Sequence, residues 1–146
     1  SVYFLTSRYA DAETLLRRAL DVDRSLATRA SADFAGLSVT LQMLGDALVA
    51  QEQFRDAERL YTEGLALDRR AHDVDPGNQD KARNVAVMLQ RVGALHFLQN
   101  DLSDARRAWD EALSIMESLA SAAPANTALA YDVEVTRTLV RLAAER

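Results

Sequence analysis

The chain has 146 residues, enough for one ordinary domain or a short run of repeats, and 49% apolar with 27% charged residues suffice for a packed core. Five Gly and two Pro supply few turns, which argues against an all-β sandwich or barrel, and the absence of Cys removes a disulfide scaffold, a thiolate metal site and a Cys nucleophile. A net charge of −5 argues against a nucleic-acid binder that works by neutralising phosphates.

Apolar residues recur every three or four positions along the chain, and Ala is abundant, so helices are expected throughout. A half-helix is predicted over residues 2–7 and a helix over 11–28. A weak break follows at 29–33, rich in Ala, Ser and Asp, and the next helix is predicted over 33–50. Gln51-Glu52-Gln53 then interrupts the apolar pattern before a helix over 54–73. Asp75-Pro76-Gly77-Asn78 is a turn, with Asn78 placed to cap a helix over 79–99. Gln99-Asn100-Asp101 precedes a helix over 102–122, capped by Asp101 or Ser103. Ala123-Pro124-Ala125-Asn126 is the last turn, and Asn126 caps a helix over 127–145. No apolar run approaches the roughly 18 residues of a membrane span. Long helices joined by short turns lie antiparallel to their neighbours.

The chain repeats itself. An offset of 48 places Gly45 on Gly93, Phe54 on Leu102, Ala57 on Ala105, Tyr61 on Trp109, Leu65 on Leu113, Pro76 on Pro124 and Asn78 on Asn126. An offset of 45 relates Ala57, Tyr61 and Leu65 to Ala12, Leu16 and Leu20. Gly inside a helix costs about 1 kcal/mol against Ala, so Gly45 and Gly93 are expected where a partner helix comes close. Ala57 and Ala105 are the reciprocal small residues, and Tyr61 and Trp109 are expected to wedge between successive units.

The run Gly45, Phe54, Ala57, Tyr61 and its copy Gly93, Leu102, Ala105, Trp109 resembles the tetratricopeptide repeat. Gly64 and Ala112 take that family's last small position. The period exceeds the usual 34 residues of that repeat, so the likeness is to the long-helix bacterial variety, whose Asp-Pro-x-Asn junction is matched at residues 75–78. The resemblance implies an all-α solenoid, a right-handed superhelix of antiparallel helix pairs. Its units are a truncated first repeat over 1–32, a second over 33–77, a third over 78–125, and a capping helix over 126–146. Tyr3 then takes the aromatic position of a first helix whose front half is missing, so the chain is expected to be a fragment of a larger protein. In the last helix Arg141 replaces the Gly, while Leu139, Val140 and Leu142 offer contact.

Chemistry-bearing patterns are sparse. His72 sits in a last helical turn, where a cation suits the dipole. His96 falls on an aromatic position and is read as packing. His96 has no second His, Cys or carboxylate three or four residues away, and no metal is expected. The stretch 73–84 departs from a calcium loop, with Gly77 at position five and Asn84 at position twelve. The pairs Glu111 with Glu117, and Asp104 with Asp110, read as solvated faces rather than acid–base pairs. Several acids have Arg neighbours, such as Asp104 with Arg107 and Glu13 with Arg17. There is no phosphate loop or nucleophile elbow. No catalytic residue and no cofactor are assigned.

In the family the first helices line a groove that takes extended or helical peptides. Carried over, this implies groove residues Val39, Gln42, Asp46 and Val49, then Val87, Gln90, Ala94 and Phe97, then Val135, Thr138 and Leu142, with Asn84 and Arg91 reaching the same surface. Members that hold a terminal carboxylate of chaperones use Lys, Asn and Arg here. This chain has Gln42, Asp46, Gln90 and Ala94, so that clamp is missing. The expected function is a non-catalytic scaffold that binds a protein or peptide partner, not nucleic acid and not a membrane. A cytoplasmic location is the accompanying expectation. The alternative is an architectural module, a homodimer or a surface that packs on an attached domain.

Overall fold

A computed structural model describes residues 2–29 and 34–145, with side chains described except at 2–7, 22, 23, 25–29, 34 and 35. All regular structure among the described residues is helical. In chain order the helices are α1 (Val2–Arg29), α2 (Phe34–Ala50), α3 (Phe54–Val74), α4 (Gln79–Leu98), α5 (Leu102–Ala122) and α6 (Thr127–Ala144). The expected starts and ends of α3 to α6 fall within one residue of these bounds. The expected start of α2 at Asp33 lies outside the described residues.

α1 differs from expectation. It is one helix through residues 8–10, where a break was expected between a half-helix and a full one. Residues 7–11 contain no Gly and no Pro, so nothing local stops the helix. Thr14 donates back to the Ala10 carbonyl at 3.1 Å, across the turn where the helix was expected to start.

The chain forms two compact units, residues 1–71 and 72–146. In the first, α2 is the central element. Its buried face of Leu37, Leu41, Leu44, Ala47 and Leu48 meets α1, which buries Leu20, and α3, which buries Ala57 and Tyr61. Polar links hold the edges. Gln51 donates to Glu13 at 3.1 Å, Arg17 donates to Glu13 at 2.9 Å, and Arg24 reaches Glu63 at 2.7 Å. Burial raises the Glu13 carboxyl, but bonds from Gln51 and Arg17 outweigh it and hold the group below its ordinary value.

In the second unit α5 packs against both α4 and α6. It buries Ala105, Ala108, Trp109, Ala112, Met116 and Leu119. α4 contributes Val85, Ala86, Met88, Leu89, Gly93 and Leu95, and α6 contributes Leu129, Val133, Thr136 and Ala143. Helix starts are capped by side chains. Asn78 accepts from the Lys81 N–H at 3.2 Å, Asp101 from Asp104 at 3.5 Å and Asn126 from Leu129 at 3.2 Å.

The α2–α3 and α4–α5 turns share one geometry, 48 residues apart. Glu52 and Asn100 take φ of 59° and 60°. The next N–H closes each turn: Gln53 to the Leu48 carbonyl at 2.9 Å, and Asp101 to the His96 carbonyl at 2.8 Å. This is the left-handed residue and 6→1 bond of a Schellman ending.

Candidate functional site

The glycine–aromatic pairs position the helices. A Cβ on Gly45 would lie 2.7 Å from Cδ1 of Tyr61, and one on Gly93 would lie 2.9 Å from Cε2 of Trp109. Each bare backbone thus seats the ring of the next helix. The Tyr61 hydroxyl donates to Asp46, and the Trp109 indole N–H donates to the Gln90 carbonyl at 3.1 Å. Trp109 also touches the following helix. It clusters with Ala105 and Ala143, and Phe97, Leu139 and Val140 pack around them. The expected wedge is therefore present at Trp109, between α4 and α6.

With Trp109 behind them, α4 and α6 are joined by side chains. Gln90 donates to the Thr136 hydroxyl at 2.7 Å, and Arg83 reaches Asp132 at 3.1 Å. Thr136 is fully buried and donates onward to the Asp132 carbonyl at 2.7 Å. Asn84, Val87, Arg91 and Ala94 share one face of α4 by helical spacing, with Asn84 and Ala94 exposed and Val87 and Arg91 half-buried. Val135, Thr138 and Leu142 share one face of α6, with Thr138 and Leu142 exposed and Val135 half-buried. On α4, two of the expected groove residues are engaged elsewhere. Gln90 is spent on Thr136. Phe97 is half-buried, its ring centroid 5.6 Å from that of Trp109.

In the first unit, Val39 is exposed on α2, and Gln42, Asp46 and Val49 are half-buried. Asp46 is already bonded to Tyr61. Two exposed apolar neighbours were missed by the sequence reading: Met43 beside Val39, and Tyr131, 69% exposed, one turn before Val135. Helical spacing from the assigned residues would have found both.

Two polar groupings were also missed. Asp68 is buried in α3, and its carboxyl is pushed up to about 6 by burial, partly offset by a hydrogen bond with Ser38. The Ser38 hydroxyl lies 3.4 Å from the Gly64 carbonyl. The 48-residue offset places Ser38 on Ala86 and Asp68 on Met116, so one unit has a polar pair where the other is apolar. The second grouping is at the α4–α5 turn. His96 Nδ1 lies 3.6 Å from an Asp101 carboxylate oxygen, and Asp104 brings a third donor, all three within 4.8 Å of one another. No helical spacing relates His96 to Asp101 and Asp104; the turn between α4 and α5 brings them together.

No helix among the described residues is long and apolar enough to cross a membrane. The chain matches no protein-family model and no curated protein.

Proposed function

We propose that the chain is a non-catalytic interaction scaffold of the tetratricopeptide type, whose helix pairs stack as a solenoid and whose α4–α6 face binds a peptide or helix of a partner protein. The observation that carries this reading is the seam between those helices. The Gln90–Thr136 and Arg83–Asp132 links join α4 to α6, while helical spacing puts Val87 and Ala94 with Asn84 and Arg91 on one face of α4, and Tyr131, Val135 and Leu142 with Thr138 on one face of α6. Apolar and aromatic groups interspersed with amide, hydroxyl and guanidinium groups suit a peptide that buries side chains and hydrogen-bonds its backbone.

The test is selection of displayed peptides on the whole chain, followed by affinity measurements on Ala94→Glu, Tyr131→Ala and Leu142→Glu. All three positions are exposed, so the helical circular dichroism is expected to be unchanged. Binding is expected to weaken by about tenfold or more in at least two variants, as for central interface residues. Peptides that bind all three variants as tightly as the parent overturn the assignment of this face.

Self-association is the second reading, favoured by Val39 and Met43, 55% and 51% exposed on α2. Light scattering across a range of concentrations decides it, since a monomer at every concentration discards it.

A further inference from the structure

We propose that His96, Asp101 and Asp104 form a site for a divalent transition-metal ion of the zinc class, placed where α4 ends and α5 begins. The donor set is one imidazole nitrogen and two carboxylates, which suits zinc and its neighbours better than calcium or magnesium, whose sites are built from oxygen. The spacing fits as well. Metal–donor bonds of about 2.0–2.2 Å place the donors of a tetrahedral site about 3.3–3.6 Å apart. His96 Nδ1 and an Asp101 oxygen are already 3.6 Å apart, and one ligand atom each from His96, Asp101 and Asp104 lie within 4.8 Å of one another. Water would complete the coordination.

The turn itself does not call for these side chains. Its counterpart at Leu48, Gln53 and Asp56 closes with the same backbone bond and the same left-handed residue, yet has neither the imidazole nor the first carboxylate. Nor is the imidazole loose. Its side chain is 17% exposed, so the hairpin already limits its motion and less freedom is lost on binding. Asp101 keeps its capping bond through one oxygen, to the Asp104 N–H, and offers the other to the ion. The competing partner is Arg107, 3.6 Å from Asp104, whose side chain is 80% exposed and free to swing into solvent. A bound ion would tie the last turn of α4 to the first turn of α5.

The test is calorimetric titration of the whole chain with zinc chloride, with magnesium chloride as the contrasting ion. One zinc ion per chain is expected, and no magnesium uptake. Loss of a ligand is expected to weaken zinc binding by at least the roughly tenfold that an outer-shell change costs. His96→Gln and Asp104→Asn should both show this, and His72→Gln should bind as the parent does. Asp104→Asn leaves the Asp101 cap intact, so it carries the test if His96→Gln fails to fold. The proposal is overturned if the parent shows no saturable zinc uptake, or if Asp104→Asn binds zinc as tightly as the parent.

Discussion

At the scale of single residues, the two glycine–aromatic pairs carry the most weight. Trp109 is 1% exposed and is held by Gly93 below, by the Gln90 carbonyl at its N–H and by Phe97 at its side. Trp109→Ala is therefore expected to cost about 3–5 kcal/mol, read as a lower urea midpoint. A midpoint that hardly moved would remove Trp109 from the core. Gly93→Ala sets two effects against each other. Helix propensity favours Ala by about 1 kcal/mol. The added Cβ collides with a ring that packing and a hydrogen bond hold in place, at about 1–3 kcal/mol. Gly93→Ala is expected to be destabilising on balance. A Cβ at Gly36 meets nothing within 4 Å, so Gly36→Ala is expected to stabilise by up to about 1 kcal/mol in the same assay. If Gly93→Ala stabilises, as Gly36→Ala is expected to, close approach is not the reason for Gly93.

At the scale of elements, the helix ends were legible because their causes are local. Asn78, Asp101 and Asn126 cap by bonds to residues three positions on, and Pro76 and Pro124 stand in the turns before them. The break expected in α1 was not local. The backbone at residues 7–11 has no residue to enforce it. The pairing of α2 with α3 gives a pH prediction. Asp68 titrates near 6 when folded, against an ordinary 3.8, so the folded state binds the extra proton between those values. Stability therefore rises as pH falls through about 6 and levels off below about 4, by up to about 3 kcal/mol. The stability difference between the parent and Asp68→Asn, followed by circular dichroism in urea, isolates this from the other carboxylates. A difference that stays flat from pH 7 to 4 would mean that burial does not perturb Asp68.

At the scale of the whole molecule, each compact unit has its own core. In the second unit α5 alone packs on both of its neighbours, and six of its residues are buried. Amides from Ala108 to Met116 are thus expected to exchange with solvent more slowly than those of α6, since opening them disrupts two helix contacts. Equal protection of the two helices by hydrogen exchange would contradict this. The candidate face was legible only in part. Spacing places Asn84, Val87 and Ala94 on one side of α4, but spacing alone does not say which neighbour meets which flank. Gln90 and Phe97 lie on the flank that α5 and α6 cover, so they serve the seam and the core.

The sequence by itself determined the all-helical class, the bounds of α3 to α6, the caps and the placing of Gly45 and Gly93 at close approaches. Each follows from propensity, spacing or a contact whose register the repeat makes visible. Only the tertiary structure decided that the Tyr61 and Trp109 rings seat on Gly45 and Gly93, that Gln90 turns to Thr136, that Asp68 is buried with Ser38, and that His96 meets Asp101 and Asp104. Each of the last three depends on which residues a turn or a second helix brings within a few ångströms. A one-dimensional pattern fixes the face of a helix but not what lies across from it.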